Sequence, residues 1–168
     1  MAISDPISLG EATPDELPEA SRVMLQAYEE YAADLPADMW EGYRRDIVDV
    51  WGRLEDSELI LARSEGRIVG AVTYYPQRNS GQGELPDSAG IRLLAVEPAS
   101  RGKGIGRKLV GECVERTRAR GVPSIVLHTT ELMSVAAGMY ERMGFVRLPK
   151  LDHHVRPGLT VKGYELRL

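Results

Sequence analysis

A short glycine-rich segment holds the residues of this sequence whose types and spacing are best suited to bind an anion. From Arg101 to Gly106 the sequence is Arg-Gly-Lys-Gly-Ile-Gly, and Arg107 and Lys108 follow directly. Glycines let successive backbone N–H groups face a phosphate, and the N-terminus of a helix adds a partial positive charge. We interpret the segment as a phosphate-binding loop. The alternative is a plain strand-to-helix turn with solvated basic side chains.

Two well-known phosphate motifs do not fit this loop. A Walker loop needs Gly-Lys followed by Ser or Thr after a longer glycine spacing, which is absent here. A dinucleotide fingerprint would have its third glycine at the position of Arg107. It would also have an acidic residue at the end of the next strand, where His128 and Thr129 stand.

Hydrophobic periodicity predicts the elements that position the loop. An apolar strand is predicted over Ile91–Val96, and an amphipathic helix after the loop has Cys113 on its buried side. A second apolar run, Ser124–Thr129, is typical of a buried, parallel strand. A further helix is predicted over Ser134–Met143, with Gly144 as its C-terminal cap.

The remaining elements follow from capping, turn and alternation signals. Thr13 to Glu16 forms a capping box and predicts a helix to about Ala33, and a second helix is predicted from Asp38 to Leu54. The other predictions are a hairpin of Glu58–Ser64 and Arg67–Tyr75, an exposed loop over Asn79–Gly90, and an antiparallel pair of Phe145–Leu148 and Val161–Leu168 joined by a Pro149–Thr160 loop. The order β-α-α-β-β-β-α-β-α-β-β indicates an α/β fold with a mixed sheet covered by helices on both faces.

Length and composition indicate an ordinary globular protein. The 168 residues predict a single domain, and 43% hydrophobic with 27% charged residues excludes a disordered chain. A net charge of -4 argues against nucleic acid as the main partner. Cys113 is the only cysteine, so an internal disulfide and a cysteine-based zinc site are excluded. With no signal peptide and no apolar run of about 18 residues, we predict a soluble cytoplasmic protein.

Two segments together resemble a known family. Arg101 to Gly106 matches the Gln/Arg-x-x-Gly-x-Gly/Ala motif of the GNAT acyltransferases. Ala136 to Phe145, with the sequence Ala-Ala-Gly-Met-Tyr-Glu-Arg-Met-Gly-Phe, is similar to that family's Ala-x-x-Leu-Tyr-Glu-x-x-Gly-Phe signature. The resemblance covers residues 58–168. It implies the GNAT fold, a mostly antiparallel sheet of about seven strands, with acetyl-CoA as acyl donor and a primary amine as acceptor.

The resemblance also implies roles for individual residues. The strands predicted over Ile91–Val96 and Ser124–Thr129 would splay apart, with the thioester of the donor in the gap between them. The amide of Val96 would then stabilise the oxyanion that develops on the thioester carbonyl. Tyr140 would be the general acid for the CoA thiolate; alternatively it packs on Phe145 with its hydroxyl at the surface. Many members have Asn seven residues before this Tyr, but here that residue is Met133. The implied donor-binding residues are Leu94, Ala95, Val96, Arg101, Gly102, Lys103, Gly104, Ile105, Gly106, Arg107 and Ser134, whose hydroxyl is the candidate replacement for the missing Asn.

The acceptor side of the chemistry is less defined by the sequence. Five residues are plausible general bases, and none stands out: Glu84, Asp87, Glu97, His128 and Glu131. The adjacent pair His153-His154 is weak evidence for a metal, and we predict none. Six aromatic residues provide either an acceptor pocket for an apolar or cationic group or ordinary core packing: Tyr28, Tyr31, Trp40, Tyr43, Tyr74 and Tyr75.

The predicted reaction is direct transfer of acetyl from acetyl-CoA to a primary amine of a small molecule or a protein. No covalent enzyme intermediate is needed. The alternatives are a catalytically silent CoA-binding sensor or scaffold module, towards which Met133 points, and an enzyme that uses a longer acyl-CoA. We expect no nucleic acid or membrane partner. A homodimer is compatible with the resemblance, since many relatives are dimers.

Overall fold

Eight strands and five α-helices make up the part of the chain that the computed structural model describes, residues 6–77 and 85–168. The strands are β1 (Ser8–Glu11), β2 (Glu58–Ser64), β3 (Arg67–Tyr75), β4 (Ser88–Val96), β5 (Ser124–Thr129), β6 (Val146–Arg147), β7 (His153–Arg156) and β8 (Leu159–Arg167). The helices are α1 (Leu17–Tyr28), α2 (Ala37–Val48), α3 (Val50–Arg53), α4 (Ile105–Ala119) and α5 (Ser134–Arg142). Short 3-10 turns occupy Pro14–Glu16, Glu29–Asp34, Pro98–Ser100, Glu131–Met133 and Pro149–Leu151.

The chain divides into two compact units. The first comprises the residues up to Thr73 together with Leu93–Glu112, and the second comprises Tyr74–Arg92 and Cys113–Leu168. Strands β3 and β4 and helix α4 contribute residues to both units. A single domain over the whole chain stays a prediction.

In the first unit the strands are ordered β1-β2-β3-β4. β1 and β2 are antiparallel, with Leu9 opposite Ala62. The predicted hairpin is confirmed, and Glu65 and Gly66 both have positive φ, 51° and 75°. Two successive residues of positive φ give a tight turn whose twist matches that of the strands.

The predicted helices of the first unit are confirmed, but each is divided. The α-helix from the capping box ends at Tyr28 and continues as the 3-10 turn Glu29–Asp34. The second breaks at Asp49, whose carboxylate accepts the Gly52 N–H at 3.0 Å and so caps α3.

Gly70 of β3 determines how closely α4 approaches the strands of the first unit. A Cβ on Gly70 would lie 3.0 Å from the Ala95 carbonyl oxygen and 3.2 Å from Cγ2 of Ile105, the first residue of α4. The start of α4 therefore packs directly on the backbone of β3, which fixes the loop that precedes it.

In the second unit the strands are ordered β4-β5-β8-β6, and β7 pairs with β8. β5 is parallel to β4, as predicted, with Ser88–Ile91 opposite Ser124–Leu127. The pairs β5–β8, β6–β8 and β7–β8 are antiparallel. Gly144 has φ of +98°, which confirms it as the cap after α5.

Two loop predictions were wrong in part. The segment Pro149–Thr160 contains β7, which pairs with β8 around a turn at Gly158 (φ +83°) and is therefore not a plain loop. β4 begins at Ser88 and not at Ile91, because residues 88–90 already pair with β5. Asn79–Glu84 lies outside the described residues.

The mixed, mostly antiparallel sheet flanked by helices confirms the predicted fold class. Within residues 6–77 and 85–168, no helix combines the length and apolar character needed to cross a bilayer.

Candidate active site

The glycine-rich loop lies between the end of β4 and the start of α4 in the first unit. Arg101–Gly104 is exposed, and Gly102 and Gly104 have φ of +79° and +77°. This is the left-handed region, which side chains other than glycine adopt at a cost. A Cβ at either position would meet no atom within 4 Å. Backbone conformation, and not crowding, is what requires glycine here.

The N-terminus of α4 presents backbone donors and cations. Lys108 N–H donates to the Gly104 carbonyl at 3.1 Å, so the N–H groups of Ile105, Gly106 and Arg107 precede the first bond of the helix. Lys103, Arg107 and Lys108 are exposed, and the first turn of α4 contains no acidic residue. Open space at the glycines, the N-terminal N–H groups of a helix and exposed cations fit a diphosphate group.

The Arg101 side chain does not face the loop in the way that the sequence analysis expected. Its guanidinium donates to the Glu30 carboxylate at 2.9 and 3.0 Å, to the Ala27 carbonyl at 3.0 Å and to the Val96 carbonyl at 3.3 Å. The hydrogen bond from Arg101 also lowers the pKa of Glu30. These bonds hold the Arg101 side chain within the first unit, and its contact with the diphosphate stays a prediction. A contact from the Arg101 backbone stays a prediction.

Glu97 supports the loop from its other side. This buried carboxylate accepts two hydrogen bonds from the Arg67 guanidinium, at 2.7 and 2.8 Å. It also accepts a hydrogen bond from the Ser100 hydroxyl at 2.5 Å. The Arg67 hydrogen bonds are the main cause of the lowered pKa of Glu97. A carboxylate held in this way is a poor proton acceptor, so Glu97 is removed from the candidate bases.

The backbone of β4 is partly engaged by side chains of the first unit. The Leu94 carbonyl accepts the Tyr28 hydroxyl at 2.8 Å, and the Val96 carbonyl accepts from Arg101. Leu93 has φ of +54°, an unusual conformation within a strand. The predicted pairing of Leu94, Ala95 and Val96 with the pantetheine arm therefore depends chiefly on their N–H groups.

Tyr140 lies on α5 in the second unit and is buried, with 5% of its surface exposed. Its ring packs edge-on against Phe145, with centroids 5.9 Å apart. The packing part of the alternative reading is confirmed, while a hydroxyl lying open at the surface does not agree with this burial. The role of Tyr140 as general acid stays a prediction.

The start of α5 offers polar groups that the sequence analysis partly missed. Ser134 is exposed at the first position of the helix, and Met133 before it provides no side-chain cap. The hydroxyls of Thr129 and Thr130, at the end of β5, are buried and have no hydrogen-bond partner within the described residues. No pattern in the sequence distinguishes them from ordinary strand threonines.

The remaining candidate bases differ sharply in their surroundings. Asp87 has φ of +57° and lines a cavity of about 550 Å³ at the amino end of β4. Glu131 is exposed and forms an ion pair with Lys162 at 3.1 Å. Glu84 lies outside the described residues.

His128 is half-buried on β5 and is held by two neighbours. Its Nε2 lies 2.9 Å from the Leu151 carbonyl oxygen, and its ring stacks on that of His153, with centroids 4.9 Å apart. Among residues 6–77 and 85–168, no group of three or more His, Cys, Asp or Glu side chains could hold a metal ion.

The six aromatic residues separate into two sets. Tyr28 contacts Tyr31 and Tyr43, with centroids 6.0 and 5.7 Å apart, and Trp40 contacts Tyr43 at 6.4 Å. Tyr31, Trp40 and Tyr43 are half-buried in this cluster. Tyr74 and Tyr75 are core residues of β3, and the Tyr74 hydroxyl lies 3.0 Å from that of Thr117. For Tyr74 and Tyr75 the core-packing alternative is therefore confirmed.

Comparisons with known proteins agree with this geometry. Residues 23–145 match the model of the Acetyltransferase (GNAT) family. The chain is 30% identical to N-acetylaspartate synthetase from Homo sapiens over 141 residues, which cover 84% of this chain and 42% of that protein. It is 31% identical to mycothiol acetyltransferase from Cellulomonas flavigena over 91 residues, which cover 52% of this chain and 26% of that protein. The matches thus span less than half the length of these relatives.

Solved structures share the fold across almost the whole chain. PaiA N-acetyltransferase from Thermoplasma acidophilum, in complex with coenzyme A, superposes with a TM-score of 0.74 at 15% identity, covering 96% of this chain and 99% of that one. A GNAT family acetyltransferase from Brucella melitensis, in complex with acetyl-CoA, superposes with a TM-score of 0.67 at 22% identity. The superposition covers 98% of this chain and 89% of that one.

Proposed function

Because the chain belongs to the GNAT acetyltransferase family, we propose that it transfers an acetyl group from acetyl-CoA to a primary amine. The observation that supports this most directly is the loop before α4, where Gly102 and Gly104 have positive φ and leave open space above the helix donors. An alternative CoA-binding module without catalysis would keep the same loop. The experiment below therefore measures turnover as well as binding.

The donor would be held chiefly by main-chain groups. The N–H groups of Gly102 to Gly106 would bind the diphosphate, with Lys103 and Arg107 adding charge. The N–H groups of Leu94 and Val96 would bind the pantetheine arm as a neighbouring strand does. Acetyl-CoA supplies an acetyl group activated as a thioester. The amide of Val96 would stabilise negative charge on the thioester carbonyl oxygen.

Direct attack by the amine is favoured because the chain offers no suitable thiol nucleophile. Cys113 is the only cysteine, and it is fully buried inside α4. A buried thiol in apolar surroundings is unreactive. Tyr140 would donate a proton to the departing thiolate. That help need only be modest, because a thiol of pKa about 8.5 is already a fair leaving group.

The acceptor is assigned only to the class of primary amines. The names of the similar proteins include an N-acetylaspartate synthetase and a mycothiol acetyltransferase. The half-buried cluster of Tyr31, Trp40 and Tyr43 is the candidate acceptor surface, because Tyr28 joins it to the Leu94 carbonyl. A homodimer and a cytoplasmic location stay predictions.

An amine panel tests the proposal. Purified protein with acetyl-CoA is assayed for thiol release against polyamines, amino acids, amine-bearing antibiotics and peptides with free N-termini, and longer acyl-CoAs compete in parallel. We expect release with at least one amine class and a preference for acetyl-CoA. Tight CoA binding without release on any amine would instead support the silent module.

A further inference from the structure

Acetyl transfer by direct attack places a negative charge on the thioester carbonyl oxygen before the thiolate leaves. A main-chain donor stabilises that charge well only if its position is set before the reaction begins. The requirement rests on the proposed function, in which the N–H groups of Leu94 and Val96 bind the arm and the thioester of the donor. Both residues belong to the first unit, and so do the side chains that fix them.

The carboxyl end of β4 has one edge that faces β3 and one that does not. The Glu97 N–H donates to the Val69 carbonyl of β3 at 2.9 Å, so Glu97 faces β3. The main-chain groups of successive strand residues point to alternate edges. Those of Val96, and of Leu94 two residues earlier, therefore lie on the edge away from β3.

The carbonyl groups on this outer edge are held by side chains. The Tyr28 hydroxyl donates to the Leu94 carbonyl at 2.8 Å, and Nε of Arg101 donates to the Val96 carbonyl at 3.3 Å. An ordinary strand edge offers alternating donors and acceptors to a partner. Here the acceptors are already engaged, and the N–H groups of the same two residues are the ones assigned to the donor.

The two side chains hold the edge unequally. Arg101 is 40% exposed, and its guanidinium also binds the Glu30 carboxylate and the Ala27 carbonyl. Tyr28 is 6% exposed, and its hydrogen bond is the shorter one. A hydrogen bond shielded from water is electrostatically stronger than an exposed one. Tyr28 is therefore the firmer of the two attachments.

The ring of Tyr28 is itself fixed in place. Tyr28 is the last residue of α1. Its ring packs edge-on against Tyr43, with centroids 5.7 Å apart and planes inclined by 82°, and is tilted against Tyr31 with centroids 6.0 Å apart. A phenol oxygen moves only when its ring moves. The packing of α1 and α2 thus determines where the Leu94 carbonyl is held.

We propose that Tyr28 is a positioning residue for acetyl transfer. Its hydroxyl fixes the Leu94 carbonyl, and with it the backbone as far as Val96, so that the Val96 N–H points at the thioester carbonyl oxygen. The amine nitrogen bonds to the acetyl carbon, the C–S bond breaks, and the thiolate takes up a proton. The balance is R–NH₂ plus acetyl-CoA giving the acetamide and CoA thiol.

The test is acetyl transfer by wild type and Tyr28→Phe, with the amine that releases most thiol in the panel. Phe keeps the ring and its packing and removes only the hydroxyl. We expect kcat and the single-turnover rate to fall about tenfold, because a small displacement of an oxyanion donor slows the reaction strongly. The dissociation constant of CoA should stay near the wild-type value, because the loop before α4 is unchanged.

Tyr74→Phe is the matched control. Tyr74 is also buried, and its hydroxyl lies 3.0 Å from that of Thr117, within the second unit. Each substitution removes one hydrogen-bonded hydroxyl from a buried tyrosine, so both should lower the thermal midpoint. Only Tyr28→Phe should lower kcat, because a purely structural hydroxyl contributes to stability and not to the chemical step.

The amide resonance of Val96 gives a readout that does not depend on turnover. In wild type, acetyl-CoA should move the Val96 amide proton downfield as its hydrogen bond to the thioester carbonyl forms. The change should be smaller in Tyr28→Phe and of wild-type size in Tyr74→Phe. Two-dimensional NMR spectra of the three proteins, with and without acetyl-CoA, measure it.

The possible failures are distinguishable. Wild-type kcat in Tyr28→Phe overturns the positioning role and leaves the proposed function intact. Equal losses of kcat in Tyr28→Phe and Tyr74→Phe also overturn the role, since they would reflect core packing in general. Wild-type protein that binds acetyl-CoA but releases no thiol with any amine contradicts the proposed function and, with it, the role of Tyr28.

Discussion

At the scale of single residues, two glycines and one arginine define the loop before α4. Gly102 and Gly104 are required for their positive φ, since a Cβ would meet open space at both positions. Arg101 binds Glu30, 71 positions earlier in the chain, and two backbone carbonyls. We propose that the backbone around the two glycines provides the donors and that Arg101 holds the turn that carries them.

Gly104→Val should weaken CoA binding at least tenfold. A β-branched residue in the left-handed region costs on the order of 1–3 kcal/mol, which the loop can avoid only by changing its conformation. Isothermal titration with CoA measures the change. Gly111→Val is the matched control, because Gly111 lies on α4 with open space around its Cβ position and no positive φ. Equal affinities in the two variants would contradict the role of the Gly104 backbone.

The local sequence predicted the loop and the cap at Gly144, because both depend on backbone conformations that glycine alone adopts readily. The partner of Arg101 could not be predicted in this way. Hydrophobic spacing reports on neighbours three or four residues away, whereas Glu30 lies in the turn after α1. The same reason explains why the sequence left His128 and Glu97 equivalent as bases.

At the scale of elements, α1 and its 3-10 extension are tied to the loop by the Glu30–Arg101 pair. Half-exposed ion pairs contribute about 0.2–1 kcal/mol to stability, so this pair matters for geometry more than for folding. If Arg101 positions the loop, then removing the carboxylate of Glu30 must weaken binding of CoA. This should hold although Glu30 lies in the 3-10 turn after α1 and not in the loop.

Glu30→Gln should therefore raise the dissociation constant of CoA a few-fold and leave the thermal midpoint nearly unchanged. Glu29→Gln removes the same charge from the neighbouring exposed residue and should leave CoA affinity as in wild type. Tighter CoA binding in Glu30→Gln would show that the freed Arg101 contacts the diphosphate, contrary to the positioning role. Binding isotherms of the three proteins decide between these results.

Elements were predicted correctly where a local sequence signal was strong. They were predicted incorrectly where a contact with another segment determines the structure. The hairpin of β2 and β3 followed from alternation and a Glu-Gly turn. β7 was missed because His153–Arg156 has little strand character of its own and is ordered by pairing with β8. The break between α2 and α3 depends on the Asp49 side chain, which an amphipathic pattern does not reveal.

At the scale of the whole molecule, the fold class could be predicted because the order of elements and two separated motifs agreed. The family match over residues 23–145 and the structural similarity to GNAT acetyltransferases confirm it. The acceptor could not be predicted, since it depends on which side chains of distant segments converge. Proteins with about 30% identity to this chain have names that point to different acceptors.

The proposed function depends on main-chain donors ahead of α4 that bind the diphosphate of coenzyme A. A crystal structure of the chain grown with coenzyme A measures this directly. We predict diphosphate oxygens within hydrogen-bonding distance of the N–H groups between Gly102 and Gly106. A structure with the nucleotide bound elsewhere and no phosphate at this turn would contradict the account.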